Sequence, residues 1–167
     1  MNDSYVEWLV KRKKMASQTL LKILCWVATV IAVLIWMVSA NFIVMLVAVG
    51  IGVIAYIVSL NADIEYEYLY VDKELSIDKI SSKSRRKKCC TLEVERMEIV
   101  APINSVKLDG YKHKNYKVYD YSSRNNEDRE IKKFVIYYND GKKIIIEPNK
   151  ALIDALQQVA PHKVTMM

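Results

Sequence analysis

The most prominent feature of the hydrophobicity pattern is a long apolar block near the start of the chain. Residues 23–62 contain no Asp, Glu, Lys or Arg. One helix needs about 20 apolar residues to cross the hydrocarbon core of a bilayer, so the block predicts two transmembrane helices, residues 20–38 and 42–60. Asn41 lies in the short segment between them and favours a turn. Residues 20–61 are therefore predicted to form an antiparallel transmembrane hairpin.

Small residues recur at helical spacing on both predicted helices. Ala28 and Ala32 are four positions apart on the first helix, and Ala48 and Gly52 are four positions apart on the second. Small side chains allow two helix backbones to approach closely within a membrane. We therefore expect these residues to lie where the two helices pack against each other.

Residues 1–19 are predicted to form an interfacial segment. Ser4 and Glu7 have the spacing of a capping box, which favours the start of a helix. An apolar side followed by a basic cluster suits a helix that lies on lipid headgroups. A frayed cytoplasmic tail is the alternative interpretation. The residues expected at the membrane interface are Trp8, Lys11, Arg12, Lys13 and Lys14.

From residue 62 to residue 167 the pattern changes to that of β-strands. Residues 63–71 alternate strictly, with isoleucine and three tyrosines on one face. Residues 72–74 then predict a tight turn, and residues 75–80 predict a second strand that closes a hairpin.

The middle of this domain predicts shorter strands. The alternation that runs from Cys90 to Val94 shifts its phase at Met97, which predicts a bulge or two short strands. Residues 116–121 form another aromatic and apolar run. Residues 122–130 are polar and charged, and they are predicted to be a flexible loop.

The end of the chain has the clearest signals. Two strand-like runs, residues 134–138 and 142–147, flank an Asn-Asp-Gly sequence that is typical of a hairpin turn. Asn149 is placed to cap a helix, and apolar residues recur at helical spacing until Pro161.

Antiparallel strands followed by one amphipathic helix predict an α+β membrane protein with a PH-like β-barrel. In that fold a bent sheet is open at one corner, and the C-terminal helix covers edge groups that would otherwise stay unpaired. A generic α+β roll would give a similar order of elements. Neither architecture by itself defines a function.

The net charge of +6 is divided equally between the two sides of the apolar block. Residues 1–22 and residues 63–167 each carry +3, which is too little to require nucleic acid as a partner. The turn of the hairpin contains no Lys or Arg, so the positive-inside rule predicts that both termini are cytoplasmic in a multi-pass membrane protein.

Residues that would support catalysis or metal binding are scarce. The three cysteines, Cys25, Cys89 and Cys90, imply no disulfide framework, and neither His113 nor His162 lies in a catalytic motif. We therefore expect no catalytic residue, metal or cofactor. The alternative is a small membrane-associated enzyme or metal protein that uses Cys89, Cys90 and His113.

A basic segment follows the second predicted strand and is the best candidate for a binding site. It is predicted to be a polar corner that binds lipid headgroups or a protein partner. A solvated corner without a ligand is the alternative. The segment consists of Lys83, Arg85, Arg86, Lys87 and Lys88.

Six stretches of the chain resemble an uncharacterised family of small bacterial membrane proteins, mostly from Firmicutes. The stretches are YVEWLVKRK (5–13), DIEYEYLYVDKELSIDKI (63–80), KSRRK (83–87), VERMEIVAP (94–102), YDYSS (119–123) and EPN (147–149). The resemblance implies two transmembrane helices, a PH-like C-terminal domain and no activity. The predicted function is that of a membrane-anchored, non-catalytic protein whose PH-like domain binds a protein or the lipid bilayer. The oligomeric state stays open.

Overall fold

The computed structural model describes residues 5–14, 16–83, 85–111, 113–125 and 132–166. Part of the loop predicted over residues 122–130 lies outside these ranges. The described residues divide into two compact units, one of which contains the apolar helices and the other the β-strands.

The described residues form three α-helices, eight strands and two short 3-10 turns. The helices are α1 Ala16–Ser39, α2 Phe42–Ala62 and α3 Lys150–Val159, and the 3-10 turns are Val94–Arg96 and Val106–Tyr111. The strands are β1 Val6–Lys11, β2 Ile64–Val71, β3 Glu74–Ser81, β4 Arg85–Glu93, β5 Met97–Pro102, β6 Lys117–Asp120, β7 Phe134–Tyr138 and β8 Lys142–Ile146.

Helices α1 and α2 form the predicted helical hairpin. Ala40 has a positive φ of 48° between them, and the Asn41 side chain caps α2 by accepting a hydrogen bond from the N–H of Ile43 at 2.9 Å. Trp26 on α1 donates a hydrogen bond to Ser59 Oγ on α2 at 3.0 Å. The turn predicted at Asn41 is therefore confirmed.

Small residues let the two helices pack closely, but the prediction is wrong for Ala28, whose side chain is exposed. Ala48 and Ala55 are the buried residues of α2, and a Cβ atom at Gly52 would lie 3.5 Å from the methyl group of Thr29 on α1. Most of the large apolar side chains of both helices are exposed, and both helices are long and apolar enough to cross a membrane. A helix that is apolar on all sides needs an apolar surrounding.

The N-terminal segment is a strand, and the prediction of an interfacial helix is wrong. Strand β1 pairs antiparallel with β2, with Val6 opposite Tyr70 and Lys11 opposite Glu65. The alternation of Val6, Trp8 and Val10 fits one face of a strand, and pairing with β2 outweighs the weak helix signal of the capping box. Ser4, the first residue of that box, lies outside the described residues.

The first sheet has the strand order β1-β2-β3-β4. Its inner face carries the predicted aromatic alternation, with Tyr66, Tyr68 and Tyr70 all buried. Asp72 and Lys73, which join β2 to β3, have positive φ values of 49° and 65°, as the two-residue turns of tight hairpins require. The predicted hairpin of β2 and β3 is therefore confirmed.

The second sheet has the order β5-β7-β8-β6 and corrects two features of the predicted barrel. Strands β6 and β8 run parallel, with Tyr119 opposite Ile144, so the strands are not all antiparallel. The described strands form two separate four-stranded sheets and no closed barrel. The sheets separate where the 3-10 turn Val94–Arg96 interrupts the chain between β4 and β5, which is the position of the predicted phase shift.

The core of the β unit covers both faces of strand β7, all five residues of which are buried. On one face Ala101, Val135 and Tyr137 pack with Leu108 from the second 3-10 turn. Helix α3 begins at the predicted cap, since Asn149 accepts a hydrogen bond from the N–H of Leu152 at 2.8 Å. Its buried residues are Leu152, Ile153, Ala155 and Leu156.

Tyr68 connects three parts of this core through its hydroxyl group. The hydroxyl donates a hydrogen bond to the carbonyl oxygen of Tyr121 at 2.7 Å and accepts one from the N–H of Glu147 at 3.2 Å. Strand β2 is thereby bonded to the segments that follow β6 and β8. Burial raises the pKa of the Tyr68 hydroxyl, so the group stays protonated.

We expect Tyr68→Phe to lower the free energy of unfolding by about 1–3 kcal/mol, because it leaves a buried N–H group and a part-buried carbonyl group without a partner. Urea unfolding of the detergent-solubilised chain measures the change. Tyr70→Phe is the matched control, since the buried Tyr70 hydroxyl has no hydrogen-bond partner among the described residues. Its removal should leave stability unchanged or higher. Equal losses in both variants would contradict the assigned role of Tyr68.

Candidate functional site

The basic segment begins in the turn between β3 and β4, where the chain is bonded to the end of α2. The N–H of Ser82 donates to the carbonyl oxygen of Asp63 at 2.8 Å, and Ser82 Oγ donates to the carbonyl oxygen of Leu60 at 3.3 Å. The last carbonyls of a helix lack partners within it, so Ser82 satisfies one that α2 leaves free. Lys83 follows directly.

The other four cations lie in strand β4 and not in a corner as predicted. Residues 85–88 are the first four residues of β4 and are all exposed. Strand β4 is the last strand of its sheet, and charged residues on such an edge oppose pairing with other strands. The basic segment is therefore a turn followed by an exposed edge strand.

Arg86 differs from its neighbours because it has a partner within the sheet. Its guanidinium lies 2.8 Å from Oε1 of Glu67, whose side chain is only 5% exposed. Burial raises the pKa of Glu67, and the positive charge of Arg86 opposes that rise. Arg86 thus compensates the charge of a buried carboxylate, while its own side chain is 59% exposed.

The remaining four cations of the segment have no ion pair among the residues that the structure describes. These are Lys83, Arg85, Lys87 and Lys88. Four unpaired cations within six positions attract anions of any kind. Contact of these four residues and of Arg86 with lipid or a protein partner stays a prediction.

The residues predicted at the membrane interface have several different surroundings. The Trp8 indole N–H donates to the carbonyl oxygen of Glu147 at 3.0 Å. Arg12 is half-buried. Burial raises the pKa of the Tyr66 hydroxyl, and the positive charge of Arg12 opposes that rise. Lys14 forms an ion pair with Asp63 at 3.0 Å, and Lys11 is exposed. Contact of these residues and of Lys13 with lipid stays a prediction.

The cysteines have the surroundings of packed residues. All three are free, and burial raises the pKa of Cys89 and raises that of Cys90 to about 11. Reactive and metal-binding cysteines have lowered pKa values. The described residues do not bring Cys89, Cys90 and His113 into a group of three or more metal-binding side chains.

A groove beside strand β1 is the functional feature that the sequence interpretation missed. It has a volume of about 620 Å³ and lies between β1 and the start of α3. Glu147 lies in its wall and is only 6% exposed. Its Oε1 accepts a hydrogen bond from Ser123 Oγ at 2.8 Å and lies 4.0 Å from Nζ of Lys133.

No local pattern indicates this groove, because its residues come from both ends of the chain. Strand β1 contributes one side, while residues from position 123 onwards contribute the rest. Only the structure shows that the apolar residues Trp8 and Leu9 are left 39% and 46% exposed beside this groove. Apolar residues left uncovered next to a concave surface indicate a binding site.

Comparison with known proteins identifies one family. Residues 2–166 match the family of bacterial PH-like domains, DUF6106. The chain belongs to this family. The match confirms the predicted bacterial family and its PH-like fold, and the described chain contains the two apolar helices that were expected. Neither the curated proteins nor the solved structures yield a match.

In this DUF6106 protein we expect Arg86→Ala to lower the free energy of unfolding at pH 7.5 by about 1–3 kcal/mol, because Glu67 loses its counter-charge. Burial raises the pKa of Glu67, so the Arg86 contribution is present above that pKa and declines as the pH falls through it. Urea unfolding at pH 7.5 and below pH ~4 measures both values.

Lys87→Ala is the matched control for Arg86→Ala. Lys87 is an exposed neighbour on the same strand, and an exposed substitution of this kind changes stability by less than about 0.5 kcal/mol. An equal effect of the two substitutions, or an Arg86 effect that persists at low pH, would contradict the proposed role of Glu67.

The Cys90 thiol should react slowly at neutral pH. With a pKa of about 11, it has roughly two orders of magnitude less thiolate at pH 7 than a free cysteine. In a Cys25→Ser/Cys89→Ser chain, we expect the rate of iodoacetamide alkylation to rise about tenfold per pH unit without a plateau below pH ~10. The same chain unfolded in urea is the control. A plateau in the alkylation rate of the folded chain near pH 8 would contradict the raised pKa of Cys90.

Proposed function

We propose that this protein is a membrane-anchored, non-catalytic binding module whose basic segment contacts anionic lipid headgroups. The observation that carries the proposal is the bonding of Ser82 to the carbonyl oxygens of Leu60 and Asp63 at the end of α2. Lys83 is the next residue, so the basic segment begins where the apolar helix ends. Lipid headgroups are the most abundant anions at that level of a membrane.

The surface chemistry of α1 and α2 supports membrane anchoring. The helices contain 24 and 21 residues, which matches the ~20 residues that a bilayer crossing needs. Large apolar side chains such as Leu24, Ile31 and Ile54 are more than half exposed. Exposure of this much apolar surface is unfavourable in water and favourable in lipid.

The chain connections between the β-strands and the apolar helices are short. Residues 12–15 join β1 to α1, and Asp63 alone separates α2 from β2. Because a residue spans at most ~3.6 Å, neither connection is long. The pairing of β1 with β2 requires that both lie in one compartment, and the basic residues beside the hairpin favour the cytoplasm.

The unpaired cations are numerous enough to hold a domain against anionic lipid. Each Lys or Arg near a negatively charged leaflet contributes about 1 kcal/mol. The effect decays over a Debye length of about 10 Å at 0.1 M salt. Lys83, Arg85, Lys87 and Lys88 together would therefore orient the domain without a specific headgroup pocket.

The test is amine footprinting of the full chain in nanodiscs that contain either phosphatidylglycerol or phosphatidylcholine. We expect Lys83, Lys87 and Lys88 to be acylated about threefold to tenfold more slowly in the anionic discs, and the difference to disappear at high salt. Lys114 and Lys117 are exposed lysines in the loop before β6 and in β6 itself and serve as internal controls.

A matched variant makes the footprinting result specific. Arg85→Gln/Lys88→Gln removes two of the four unpaired charges, and Lys83 and Lys87 should then be acylated faster in the anionic discs. Equal acylation of the basic segment in both lipids would overturn the proposal, as would an equal slowing at Lys114 and Lys117.

A further inference from the structure

We propose that the groove beside β1 binds an extended acidic peptide segment of a partner protein, which adds as a strand to the free edge of β1. This inference names a partner for the binding module proposed above and rests on that function. The groove, the open strand edge and the surrounding charge are three separate observations that support it.

The shape of the groove follows the edge of β1. Four consecutive residues, Trp8, Leu9, Val10 and Lys11, line it. Side chains of a strand alternate between the two faces of the sheet, so a surface that touches four in a row runs along the strand edge. The groove therefore presents the backbone of β1 as well as its side chains.

That edge of β1 has no strand partner, although α3 contacts β1 across the groove. Strand β1 is the first strand of its sheet, with β2 on one side only. Among the described residues, the backbone of Val6–Lys11 makes no hydrogen bond outside its pairing with β2. An edge strand with free N–H and C=O groups is the template on which an extended peptide pairs.

Part of the groove surface is apolar. Ile153 on α3 and Phe134 on β7 are each 5% exposed and line the groove, while Trp8, Leu9 and Met166 remain between 39% and 46% exposed. A bound strand directs every second side chain towards such a surface. The peptide should therefore carry apolar residues at alternate positions.

The charge around the groove selects an acidic partner. Lys11, Lys132 and Lys150 line it and are exposed, and the described residues give none of them an ion pair. Of the two acids in the lining, Glu147 is engaged by Ser123 and Lys133. Among the described lining residues, this leaves Asp154 as the acid that opposes three cations.

The same observations disfavour the other occupants. A second copy of this chain carries the same lysines on the same edge and a net charge of +6, so two copies would repel each other. A fatty acid would satisfy the apolar wall and one lysine, but it would leave the backbone groups of β1 unpaired. A peptide satisfies the backbone, the apolar surface and the charge together.

The test measures binding of a fluorescein-labelled octapeptide of alternating glutamate and valine to the full chain in neutral detergent micelles. We expect a Kd in the range of about 1–100 µM by fluorescence anisotropy. An N-methylated version with the same side chains cannot pair its backbone and should not bind. An octapeptide of alternating lysine and valine tests the sign of the charge and should also fail to bind.

Charge-reversal variants locate the binding site. Lys132→Glu/Lys150→Glu should weaken binding about tenfold or more, because both substitutions place negative charge beside the peptide. Lys87→Glu/Lys88→Glu makes the same change of charge on β4 and should bind as the unmodified chain does. Unchanged thermal unfolding shows that either variant is folded.

Several results would overturn the proposal. These are failure of the glutamate–valine peptide to bind, equal binding of its N-methylated version, and equal weakening by the two charge-reversal pairs. Size-exclusion chromatography tests for dimers. Dimers that dissociate when the peptide is added would instead assign the groove to a second copy of this chain. Footprinting in nanodiscs is independent of all these measurements, so loss of lipid contact and loss of peptide binding are distinguishable.

Discussion

The antiparallel pairing of β1 with β2 is the constraint on which the rest of this protein depends. Lys11 lies opposite Glu65, although both apolar helices separate them along the chain. The entropic cost of closing a loop rises only slowly with the length of the loop. Six residue pairs between β1 and β2, with Val10 buried against the aromatic face, therefore hold the two strands together across the long connection that contains both helices. Because α1 and α2 form a hairpin, the end of α2 returns to the level of the start of α1, and β1 can pair with β2. A single long helix would hold the two strands apart.

The aromatic face of β2 explains why the β unit contains so many tyrosines. A tyrosine packs its ring in a core and still offers a hydroxyl group to nearby backbone. Tyr68 uses that group to bond the segments after β6 and β8, and Tyr66 packs edge-on against Tyr121 with ring centroids 5.4 Å apart. These rings hold loops to the sheet.

Positively charged residues that are close in the sequence have different roles because their surroundings differ. Arg86 faces a buried carboxylate, whereas its neighbour Lys87 faces solvent. Lys14 is tied to Asp63, whereas Lys11 lies open beside the groove. Among the described residues, unpaired positive charge therefore lies both on β4 and beside β1, which are opposite edges of one sheet.

The sequence by itself determined the elements whose signals are local. The apolar length of α1 and α2, the alternation of β2, the Asn-Asp-Gly hairpin and the Asn149 cap each depend on neighbouring residues, and each was predicted correctly. The family, too, was recognisable from short stretches. The tertiary structure decided whatever depends on residues far apart in the chain. A capping box predicted a helix at the start of the chain, where pairing with β2 imposes a strand. The parallel pairing of β6 with β8 has no local signature in the sequence. The groove is formed by β1 together with residues near the end of the chain. Long-range hydrogen bonding and burial outweigh local preference in these places, and no sequence window contains both partners.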